Sequence, residues 1–91
     1  MNINERIDRI VQMEQYLDTL KKAFFEDPSS LADNEELYDM LHSLIRYYNG
    51  PEWIGDFECD ERGELPHDLK RGVLSEDEMY DFLAEITTFY E

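Results

Sequence analysis

The chain is poor in the residues that most often announce a function: cysteine, basic side chains and glycine-rich motifs. Cys59 is its single cysteine, so no intramolecular disulfide can form and paired-cysteine zinc or redox patterns are excluded. Eight Lys and Arg stand against 23 Asp and Glu, a formal net charge of −15. Phosphates demand a basic surface, so direct nucleic-acid binding is not expected, and neither is attachment to an anionic membrane. The four glycines form no phosphate-binding loop or dinucleotide fingerprint, and no HExxH motif occurs. No apolar run approaches the ~20 residues that span a bilayer. The chain begins Met-Asn-Ile-Asn-Glu, with no basic stretch followed by an apolar one. The expectation is a cytoplasmic protein without a secretory signal.

What is present suffices for one small domain over residues 1–91. An apolar content of 42% argues against disorder. A chain this short buries only about 60–65% of its unfolded surface, so its aromatic rings carry much of the core.

Ile3, Ile7, Ile10, Met13, Leu17, Leu20 and Phe24 recur every three or four residues and predict a helix over 3–25. The stripe also fits a heptad seam. Glu5–Arg9 and Asp18–Lys22 support this helix on its exposed faces, and Glu14–Asp18 opposes it slightly. Asp27-Pro28-Ser29-Ser30 predicts a turn. A second helix is expected from Asp33, with Glu36 completing a capping box and Leu37, Met40, Leu41, Leu44 and Tyr48 facing inward. Asn49-Gly50-Pro51 predicts its end. A third helix starts at Ser75, with Glu78 three residues on. Met79, Phe82, Leu83, Ile86 and Phe89 or Tyr90 are expected to supply its buried face. The expected fold is therefore an all-α, three-helix protein. A long ordered loop of residues 49–74 joins its last two helices, with room for a minimal hairpin from Phe57 to Leu65 around Asp60-Glu61-Arg62-Gly63.

That connection holds all four glycines, the lone Trp and the lone Cys, and long loops in small domains are often functional. Trp53 beside the basic pair Lys70 and Arg71 suggests a binding surface, since Trp and Arg are favoured anchors. The plainer alternative has Trp53 plugging the core while Arg71 pairs with Asp56, Asp60 or Glu76. Exposure of Trp53, Lys70 and Arg71 decides between them: buried and paired means scaffold, exposed together means a site.

The acids at 56, 58 and 60 alternate like the opening of a calcium loop, but Glu61 and His67 stand where such a loop needs Gly and Glu. Only a weak cation site at Asp56, Glu58 and Asp60 remains open. Cys59, His42 and His67 lack metal-ligand spacing. Cys59 lies between Glu58 and Asp60, which should raise its pKa and blunt it as a nucleophile. No catalytic constellation, cofactor site or metal set is read from these residues, so an enzyme is not the expectation.

The charge is uneven. Residues 1–30 hold four basic and six acidic side chains, whereas residues 31–91 hold four basic and seventeen acidic ones. An acidic face of this kind is ordinarily a solvated one.

Tyr47-Tyr48, Trp53, Asp56 and the run from Gly63 to Asp77 (GELPHDLKRGVLSED) resemble a family of short acidic bacterial proteins catalogued only as a domain of unknown function. The resemblance covers essentially the whole chain, and its specificity lies in residues 63–77. It implies a bacterial, Firmicute-type cytoplasmic protein and brings no activity or ligand. The residues marked for an interaction role are Trp53, Asp56, Lys70, Arg71 and Asp77. The leading expectation is a non-enzymatic protein–protein interaction or regulatory module with an unidentified protein partner, monomeric or dimerising through the first helix. One alternative is a DNA mimic that occupies a basic nucleic-acid-binding protein. The other is a small ligand-binding or enzymatic domain with its pocket near the 50–74 loop.

Overall fold

The computed structural model describes residues 3–90. Five α-helices follow one another: α1 (Ile3–Glu26), the single turn α2 (Ser30–Asp33), α3 (Glu35–Tyr48), α4 (Pro51–Glu61) and α5 (Glu76–Tyr90). A 3-10 turn over Gly72–Leu74 precedes α5, and no strand occurs among the described residues. None of these helices is long and apolar enough to cross a membrane.

The all-helical expectation is met, but a three-helix protein with a loop or hairpin over 49–74 is not what forms. The largest correction is α4. Asn49-Gly50-Pro51 does end α3, and it also starts the next helix. Gly50 is the N-cap and Pro51 takes the first turn, where its fixed φ is pre-set and its missing N–H is not needed. Trp53, Asp56 and Cys59 then recur every three residues along the buried side of α4. The turn at Asp60–Gly63 is the end of this helix and not the tip of a hairpin. Gly63 adopts φ +73°. Its N–H reaches the Asp60 carbonyl at 2.9 Å and the Glu64 N–H reaches the Cys59 carbonyl at 3.2 Å. That double closure terminates a helix around a left-handed residue, which favours Gly.

Smaller differences have local causes. The cap of α3 is Asn34, not Asp33: its side chain accepts from the Leu37 N–H at 3.2 Å. Residues 30–33 form α2 instead of continuing the turn. The Ser75 hydroxyl accepts from the Glu78 N–H at 3.2 Å as expected. The Glu78 carboxylate, however, pairs with Lys21 of α1, so only the serine half of the expected capping box is observed.

α1 is the spine. Ile10, Leu17 and Leu20 are fully buried, with Leu31, Leu44, Val73 and Met79 packed in the same core. Near its N-terminus α1 is tied to α4 by Arg6 and Arg9. Midway it meets the 3-10 turn. At its C-terminal end Phe24 stands edge-on to Phe82 and Phe89 of α5, at 6.1 and 5.9 Å.

Candidate interaction surface

The candidate residues sort by what their polar atoms meet. Asp56 is 0% exposed, and its two carboxylate oxygens take four donors. Arg6 Nη1 and Arg9 Nη2 donate to Oδ1 at 2.9 and 2.5 Å. Arg9 Nε and the Tyr47 hydroxyl donate to Oδ2 at 3.0 and 2.6 Å. Arg9 also reaches Glu52 at 3.0 Å. Bidentate guanidinium–carboxylate geometry makes the strongest bonds of this class. Its hydrogen bond with Asp56 holds the Arg9 guanidinium more firmly protonated than usual. Burial, and then the bond to Asp56, push the Tyr47 phenol far above its ordinary range. A carboxylate so saturated is a clamp joining α1, α3 and α4.

Trp53 is 6% exposed. It stacks on Phe57 at 5.1 Å and meets Tyr48 edge-on at 5.0 Å. Its indole Nε1 donates to the Val73 carbonyl at 2.8 Å. From the other side, the Glu14 carboxylate accepts the Val73 N–H at 2.8 Å. Glu14 is therefore buried and does not lie on an exposed face beside Asp18. Gly72 makes this possible: a Cβ there would lie 2.9 Å from Glu14 Oε2 and 3.2 Å from Glu78 Oε2.

Arg71 organises the segment that has no regular structure. Its Nε donates to Asp60 at 2.6 Å. Nη1 and Nη2 donate to the carbonyls of Leu69 and Pro66, each at 2.7 Å. The chain from Pro66 to Leu69 is thus wrapped around one guanidinium, which satisfies backbone acceptors that a helix would have used. Trp53 is buried and paired, and Arg71, with a side chain 32% exposed, has its donors taken within the chain, so both act as braces. Lys70 is the outlier, with a side chain 78% exposed and 4.0 Å from Asp18. Asp77 is exposed in the first turn of α5.

The remaining chemistry-bearing residues do not gather. Asp56, Glu58 and Asp60 lie on a helix, with Asp56 buried and Glu58 exposed, so the three cannot converge as a loop would arrange them. Among the described residues no group of three His, Cys, Asp or Glu is placed to hold a metal ion. Cys59 is buried and its thiol donates to Glu64 at 3.5 Å. Burial first, and Glu64 second, push the thiol pKa up. The direction matches the sequence expectation, but Glu64 replaces Glu58 and Asp60 as the acid responsible.

The sequence reading passed over the residues that are exposed and apolar. At the end of α1, Phe24 turns inward and Phe25 is left 89% exposed. Phe25 borders a groove of about 300 Å³ with Lys21, Glu78, Asp81, Phe82 and Glu85. On the other flank of α5, Tyr80 is 68% exposed and borders a groove of about 370 Å³ with Tyr48, Leu83, Ala84, Thr87 and Thr88. Asp81, Ala84, Glu85 and Thr88 border a third, shallow groove of about 570 Å³ with Phe24, and Asp77, Asp81, Ala84 and Thr88 are all exposed. A signal was available in Phe24-Phe25: neighbouring helical residues diverge by about 100°, so only one of them can enter the core.

Residues 10–90 match a family described as a domain of unknown function (DUF4298), and the chain belongs to that family. No curated protein and no solved structure matches it.

Proposed function

With that membership as the premise, we propose that the chain is a non-enzymatic protein-binding module of the bacterial cytoplasm that docks a partner on the outward side of α5. One observation carries the reading: Phe25 and Tyr80 are exposed large rings flanking one helix, while Trp53, Asp56, Arg71 and Cys59 are engaged inside the fold. Exposed apolar surface rimmed by polar groups marks interaction sites in small soluble proteins, and aromatic rings are the residues most enriched at binding hot spots. The Asp56 clamp and the Trp53–Val73–Glu14 contacts support the reading by tying four elements of the fold together, since a rigid scaffold presents a binding face at low entropic cost.

The test is site-specific photo-cross-linking in the cell that makes the protein. A cross-linking residue at Ala84 is expected to give a discrete protein adduct, and one at Lys70 is not. Adducts confined to position 70, or none at either, would overturn the assignment of this face.

A further inference from the structure

The chemistry of the α5 face narrows what can sit on it. Asp77, Asp81 and Glu85 run along α5 at intervals of four residues, about 6 Å apart along the axis. None of the three has an ion-pair partner among the described residues. Lys21, the one cation bordering the Phe25 groove, is already paired with Glu78. Any occupant that covers Phe25 and Tyr80 must also take these carboxylates out of water. Burying a charge without a counter-charge costs far more than the apolar contact returns. A second copy of this chain is disfavoured for that reason, because each copy carries a formal net charge of −15 and would set acid against acid. A neutral helix leaves the carboxylates unpaired.

Shape points to a helix. Ala84 and Thr88 lie four residues apart, short enough to let a helix axis approach closely, and both line shallow grooves of this face. We propose that this surface docks a cationic amphipathic helix from a partner protein. Its apolar residues seat against Phe25 and Tyr80, and its Lys or Arg residues, spaced three to four apart, pair with Asp77, Asp81 and Glu85. This rests on the protein-binding reading above and names the chemistry of the partner.

The experiment is a selection of helical peptides from a randomised display library on the intact protein, followed by titration of the winners. Winners are expected to carry Lys or Arg and large apolar residues at spacings of three and four. They should bind Phe25→Asp and Tyr80→Asp at least about tenfold more weakly, the loss of one anchor contact. The variant carrying Asp81→Lys with Glu85→Lys should lose at least as much, and binding should weaken as salt rises. All of these positions are exposed, so the variants should melt with the parent, and melting curves check this. Winners that are neutral or acidic yet lose affinity on Phe25→Asp would overturn the cationic partner and leave the binding module standing. Winners indifferent to Phe25→Asp and Tyr80→Asp would overturn both. Sequence-scrambled cationic peptides binding as well as the winners, or no enrichment at all, would overturn the proposed helix.

Discussion

The segment around Trp53 and Arg71 and the outward face of α5 are built from the same kinds of residue, aromatic rings beside charges, and meet opposite fates. In the first, the ring nitrogen, the guanidinium and the carboxylates of Asp60 and Glu14 find partners within the chain. In the second, Phe25 and Tyr80 stay in water, and Asp77, Asp81 and Glu85 find no cation among the described residues. The difference teaches that residue type alone does not mark an interaction surface. Saturation does: a group whose polar atoms are satisfied and whose area is buried has little left to offer a partner.

The largest effect is expected where saturation is most complete. Asp56→Ala leaves two guanidinium groups and the Tyr47 hydroxyl without their acceptor, and should cost about 3–5 kcal/mol of folding stability by urea denaturation. A loss below about 1 kcal/mol, the value of an exposed ion pair, would show that the clamp is not what joins α1, α3 and α4.

Gly72→Ala should cost about 1–3 kcal/mol, the usual penalty of forcing atoms into filled space. The new methyl displaces the Glu14 carboxylate and with it the bond to the Val73 N–H. In a Glu14→Ala background the penalty should shrink, because the two residues share one contact. Equal penalties in both backgrounds would separate the two positions.

A smaller effect depends on pH. The Cys59 thiol has a folded pKa above its ordinary value of 9.0, so the unfolded chain ionises it first. Its contribution is full below that ordinary value and is lost as pH rises through the folded one. Urea midpoints should therefore fall as pH rises past about 9, and fall less in Cys59→Ala. An identical fall in both proteins would remove the thiol from the account.

The smallest effect on stability belongs to the other region. Phe25→Asp should change folding free energy by no more than about 0.5 kcal/mol, as surface substitutions do. A large loss would make Phe25 part of the core and erase the contrast.

The two regions also differ in how far the sequence disclosed them. The helix of residues 3–26 was legible because its apolar stripe is uninterrupted, and the start of α5 because Ser75 is a strong cap. The stripe of α3 was legible for the same reason. α4 was hidden because a Gly-Pro pair reads equally as a stop and as a start, and because its buried face includes an aspartate. Periodicity counts apolar residues, so Asp56 and Glu14 looked like solvent-facing positions. Their partners lie 47 and 59 residues away, beyond any local pattern. The conspicuous run from Gly63 to Asp77 was recognisable as a family feature, yet its work in this chain is bracing: Arg71 gathers carbonyls, Gly72 admits Glu14, and Val73 is held from both sides. Apart from Asp77, which closes that run, the residues of the α5 face carried no motif. They stood out only once the fold showed which rings had been left outside.

The contrast comes down to one measurement: capture of the protein's cross-linked partner by two folded variants, Phe25→Asp with Tyr80→Asp, and Lys70→Glu. Melting temperatures are taken on the same samples. The doubly substituted face is expected to lose the partner while melting like the parent, and Lys70→Glu, on the exposed shoulder of the braced segment, to keep it. Capture that survives on the altered α5 face and disappears with Lys70→Glu would contradict that contrast.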